Sequence, residues 1–139
     1  MKLQLVSILP PLLLAAACLS CGPEGPDTAT TKDSEKGLFR VSFTSEMEPP
    51  PVHEIHRWRI HLETAAGEVV EGAWIRVDGG MPEHQHGLPT QPQVTEDLGG
   101  GDYLVEGMKF SMGGYWVLDL AITADGESDK VRFERVLVE

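Results

Sequence analysis

Two short tracts of this 139-residue chain carry side chains with metal-binding chemistry. The first is Gly79-Gly80-Met81-Pro82-Glu83-His84-Gln85-His86-Gly87. In extended backbone, residues two apart point the same way, so His84 and His86 present two imidazoles on one side. Met81 lies near enough to add a thioether. The second tract is Met108-Lys109-Phe110-Ser111-Met112-Gly113-Gly114. On a strand, Met108, Phe110 and Met112 share a face, and both sulfurs fall near its end. Of the four methionines after Met1, three lie in these tracts, and all histidines lie between His53 and His86.

Thioethers are soft and favour Cu(I), whereas imidazole suits Cu(I) and Cu(II) alike. A mixed Met/His set without cysteine therefore points to copper, since zinc more often recruits thiolate or carboxylate beside histidine. This chemistry requires the two tracts to meet in space. Taken singly, a His-x-His is ordinary polar surface, and methionines at strand spacing are core filler. His56 is a third candidate ligand. It shares the parity of Trp58, Ile60 and Leu62, which also suits a buried, hydrogen-bonded histidine. His53 and His61 have the opposite parity and belong to the surface.

Several other chemistries are excluded. The two cysteines, Cys18 and Cys21, both precede the body of the protein, so a blue-copper thiolate site cannot form there. A cupin site needs Glu four or five residues after His-x-His, but Thr90 and Gln91 stand there, and no histidine follows His86. No nucleophile elbow, phosphate loop or dinucleotide fingerprint is present. Glu46 with Glu48, and Glu96 with Asp97, sit in polar contexts as solvated charge. The sequence does not read as an enzyme. A net charge of −11 leaves no cation surplus for nucleic-acid phosphates.

These side chains must be carried by some frame. Lys2 followed by the apolar run Leu3 to Ala17 is about 15 residues long, short of the ~20 that a membrane span needs. Residues 1–17 read as a secretory signal. Small residues before Cys18 form a lipobox, which makes Cys18 the lipid-modified N-terminus. Leu19 is not the aspartate that retains lipoproteins in the inner membrane. The expected place is therefore the outer membrane, facing the periplasm, with lipid as the only membrane contact. Residues 18–37 are Gly, Pro, Thr, Asp, Glu and Lys without apolar period, and read as a disordered tether.

Residues 38–139 form one domain. Alternation marks strands over 38–43, 53–63, 69–77, 94–98, 103–110, 115–123 and 131–138. The Met47–Pro51 tract interrupts the first two, because proline cannot join a central ladder. Residues 81–92 read as irregular and 124–130 as a polar hairpin loop. About seven short strands with turns at ~10-residue spacing predict an all-β fold, an immunoglobulin-like antiparallel β-sandwich. A small Greek-key barrel is the alternative.

Residues 79–121, from the Met-Pro-x-His-x-His-Gly tract to Gly-Met-x-Phe-x-Met-x-Gly-x-Trp, resemble the YtkA-like domain family of exported bacterial proteins, related in fold to the FixH-like group. Glu54-Ile55-His56-Arg57-Trp58 also fits, and the likeness covers 52–138. The resemblance implies an immunoglobulin-like sandwich behind a lipoprotein signal. It also implies a link to copper handling or to assembly of copper-dependent respiratory proteins. The family pattern falls on Met81, His84, His86, Met108 and Met112, with His56 beside them. Gly113-Gly114 stands where Pro-Gly is common, a change in the turn.

The expected function is thus a lipid-anchored copper module, binding Cu(I), Cu(II) or both, that stores the ion or passes it to an exported or respiratory protein. The alternative is a metal-independent assembly module with Trp74 and Tyr115 on its partner surface.

Overall fold

The computed structural model describes residues 27–139. The signal segment, Cys18 and the first part of the tether lie outside the described residues. The chain forms β1 (Thr31–Asp33), β2 (Phe39–Ser45), β3 (His56–Thr64), β4 (Trp74–Met81), a 3-10 turn (Pro82–His84), β5 (His86–Gly87), β6 (Gln93–Gly99), β7 (Asp102–Met108), β8 (Gly114–Ala124) and β9 (Glu127–Val138). The all-β, antiparallel expectation holds. Neighbouring strands run β1-β2-β3-β7-β6-β4-β8-β9, with β5 added to β4.

Only the Arg76–Gln93 pair joins β4 to β6. The sheet folds over at that point into two layers, β1-β2-β3-β7-β6 and β4-β8-β9. Their inner faces meet where Phe43 on β2 contacts Phe133 on β9 edge-on, centroids 4.7 Å apart. Trp58 stacks on the other side of Phe43 at 4.8 Å. On the far side of the molecule, the Glu35 N–H donates to the Lys130 carbonyl across the gap between β1 and β9. The sandwich is therefore partly closed, in the manner of a barrel.

Alternation sets the core. On β3, Trp58, Ile60 and Leu62 are buried while Arg57 and Arg59 are exposed. On β4, Ile75 and Val77 are buried and Trp74 and Arg76 exposed. Two bulges then change the rule. Between the His56–Met108 and Trp58–Val105 pairs, β7 carries one residue more than β3. Gly107, at φ 83°, absorbs it. Val105 and Met108 can then both point inward although their parities differ. A second register shift between Trp116 and Leu118 does the same on β9, where Phe133 and Val136 are both buried.

Three expectations are corrected. The tether is ordered from Thr31, because polar contacts rather than apolar burial hold it. The buried carboxylate of Asp129 accepts from the backbone N–H groups of Lys36 and Leu38. The strand expected over 69–77 starts only at Trp74, and Val69 makes a single bridge to Glu63. The loop expected over 124–130 is a two-residue turn. Asp125 and Gly126, at φ 51° and 82°, have the left-handed geometry that a tight hairpin requires, and Ala124 pairs directly with Glu127.

Candidate metal centre

The histidine tract hangs on the end of β4. Gly80 pairs with Gly87, and Met81 with His86, across the short β4–β5 ladder. A Cβ on Gly80 would lie 2.6 Å from the His86 carbonyl oxygen, and one on Gly79 would lie 2.5 Å from that of Val117. Both positions must be glycine for β5 and β8 to flank β4 this closely. Pro82 opens the 3-10 turn and Gln85, at φ 56°, closes it. The segment is therefore not extended. His84 ends the turn, His86 returns to the sheet, and Gln85 between them is left-handed.

The two imidazoles nonetheless lie side by side, with centroids 6.0 Å apart. His84 is exposed and His86 half-buried. The His86 ring meets Trp116 edge-on at 5.3 Å. Met81 is buried opposite His86, and Gly114 leaves room for its methyl group, since a Cβ there would stand 3.1 Å from Met81 Cε. A cleft of 460 Å³ opens beside them, lined by Met81, Glu83, His84, Tyr115 and Glu134 among others.

The methionine tract divides. β7 ends at Met108, which is fully buried opposite His56. Phe110 is buried and bridges to Val52. Beyond it the chain bends, and Met112 turns outward to 37% exposure. The shared face expected for Met108, Phe110 and Met112 therefore ends at Phe110. The Met112 carbonyl accepts the Trp116 Nε1–H at 3.1 Å, which fixes the Met112 bend next to the indole that His86 touches.

Two groups of candidate ligands result. His84, His86, Met81 and Met112 gather around Trp116 at one end of the sandwich. His56 and Met108 lie inside. Rings connect the groups, from His56 to Phe110 at 5.6 Å, Phe110 to Trp116 at 5.1 Å, and Trp116 to His86. Among the described residues, no three His, Cys, Asp or Glu side chains come together to hold a metal. A metal here must rest on thioether as well as imidazole, which is soft-ion chemistry.

Sequence reasoning gave Trp116 and Glu134 no role. Trp116 carried no cue beyond an apolar parity. Glu134 reaches the cleft only on the bulged part of β9, which alternation does not foresee. His61 is confirmed off the site. Its Nδ1 is 2.6 Å from an Asp102 carboxylate oxygen on the outer face of β3. That hydrogen bond, helped by Glu63 and opposed by partial burial, raises the imidazole above its ordinary value.

The YtkA-like family model matches residues 35–121, more than half of the sequence. The chain belongs to the YtkA-like family. The matched span of this YtkA-like domain opens beside the Asp129-anchored turn, ends within β8, and contains every candidate ligand. No curated protein and no solved structure matches the chain.

Proposed function

We propose that this YtkA-like domain is a lipid-anchored, exported copper-binding module. It holds one ion where His84, His86, Met81 and Met112 gather. One observation carries this reading, the 6.0 Å separation of the two imidazole centroids with Met81 opposed to His86. A ring nitrogen binds an ion at about 2.0 Å, so one ion between two rings holds their centroids within roughly 6.3 Å of each other. The observed spacing lies inside that limit. The imidazoles serve either oxidation state, and the thioethers favour Cu(I). His84 and Met112 are exposed, which suits an ion taken up and handed on rather than buried for good. The receiver is an exported or respiratory copper protein. Lipid on Cys18 keeps the module in the cell envelope, at the outer membrane facing the periplasm. The module performs no catalysis of its own.

Titration of the mature protein with Cu(I) and Cu(II) tests this. In His84→Ala with His86→Ala, affinity for at least one oxidation state is expected to fall by about 100-fold or more, beyond the range seen for loss of an outer-shell partner. Unchanged affinity for both removes these residues from any site. A second reading, the metal-independent assembly module, is favoured by Trp74, which is 61% exposed on the outer face of β4. A membrane partner retained in full under strong chelation supports that alternative.

A further inference from the structure

His56 opens β3 and is only 5% exposed. Its Nδ1 lies 3.1 Å from the carbonyl oxygen of Glu54. A carbonyl oxygen can only accept, so Nδ1 carries the proton. In the neutral ring that leaves a lone pair on Nε2. Nε2 is enclosed by the protein and has no hydrogen-bond partner within it. Buried acceptors are almost always paired, because an unpaired one forfeits its hydration for nothing. A histidine whose Nδ1–H is tied to a backbone carbonyl and whose Nε2 is free is arranged as metal-ligating histidines are.

The surroundings select the ion. Met108 is the register partner of His56 across β3–β7 and is fully buried. Opposed residues on one face stand about 4.5–5.5 Å apart at Cβ, within reach of a shared ion. Phe110 and Trp58 supply the neighbouring rings, at 5.6 and 6.2 Å. No carboxylate hydrogen-bonds to the His56 ring in the described structure. A divalent ion would lose its water there without compensating charge. A weakly hydrated, soft monovalent ion finds the nitrogen and sulfur that it prefers.

We infer that His56 Nε2 and the Met108 thioether form a second, enclosed site for a soft monovalent cation, Cu(I) by its chemistry. The site is separate from the His84/His86 end. It shares with the reading above only the choice of metal, and its ligands are different. Being enclosed, it holds its ion longer than the open end does.

Ag(I), a redox-inert stand-in for Cu(I), is the probe. Mature protein carrying His84→Ala and His86→Ala is expected to keep about one equivalent of Ag(I). The His56 Nε2 resonance in imidazole nitrogen NMR should move away from the unprotonated range as silver is added. Replacing His56 with Gln should abolish that equivalent. Met108→Leu keeps the core volume and so the fold, and should weaken Ag(I) binding by about tenfold or more. An outer-site variant that binds no silver overturns the inference and leaves the outer copper site standing. So does silver bound with the His56 resonance unmoved, or a water held between His56 Nε2 and the equally unpartnered Trp58 Nε1–H. If the parent and the outer-site variant bind alike, through His56 alone, the inner site stands and the outer one falls.

Discussion

Gly80→Ala tests whether the closeness of β4 and β5 is what sets the histidine pair. The backbone of Gly80 is in an ordinary region, so the added methyl group meets a steric obstacle only. It would stand 2.6 Å from the His86 carbonyl oxygen and 3.2 Å from Gly87 Cα. Carbon–oxygen contacts settle near 3.3 Å, so β5 must retreat by about 0.7 Å. A backbone hydrogen bond lengthened by that much passes out of range. One or two bonds of the β4–β5 ladder are lost, at about 0.5–1.5 kcal/mol each, or roughly 1–3 kcal/mol in all. For a domain of this size the melting temperature falls by about 4–12 °C. Metal sites tolerate ligand shifts of only about 0.2 Å, so copper affinity falls at least about tenfold. Gly87→Ala is the control, because its methyl group would meet the Gly79 carbonyl at an ordinary 3.5 Å. Thermal melts and copper titrations of both variants decide the matter. A Gly80→Ala protein with parental stability and affinity refutes the reasoning, as does equal damage from Gly87→Ala.

Asp129 should govern acid stability. Burial alone would raise its carboxyl, but donors from Ser34, Lys130, Lys36 and Leu38 together hold it below the ordinary value. A depressed folded value means stability that is complete at neutral pH, begins to fade near the unfolded value of about 3.9 and is gone below the folded one. Asp129→Asn should therefore cost about 1–3 kcal/mol near pH 7, and denaturant melts should show the gap to the parent closing toward pH 2, whereas a constant gap would contradict this account. His61 works in the opposite sense. Its raised value, set first by Asp102, gives stability that is full below about pH 6.5 and lost as pH rises through the folded value. The side chain is 36% exposed, so solvent screening keeps the effect below about 1 kcal/mol. An NMR titration midpoint at or below that of a free histidine would remove this ion pair from consideration, and added salt should weaken it.

Fold class was legible because alternation is a local property. Arg57-Trp58-Arg59-Ile60-His61-Leu62 reads inward and outward without knowledge of any partner strand, and the structure follows it. The hairpin at Asp125-Gly126 was equally local, yet the polar residues around it hid a turn of only two residues. The order at Thr31 was not legible. It depends on Asp129, nearly a hundred residues later, whose carboxylate collects N–H groups that no composition of the tether reveals.

By themselves, the residue types determined which chemistry the chain can offer, two imidazoles and several thioethers in a body without thiol. They also determined that short alternating strands must carry them. Tertiary structure alone decided how those ligands divide. The Gly107 bulge shifts parity by one and sends Met108 into the core beside His56, while the bend after Phe110 releases Met112 to the surface near His86. Side-chain direction along a strand follows from counting by twos. A single unpaired residue resets that count, and where it falls depends on the partner strand.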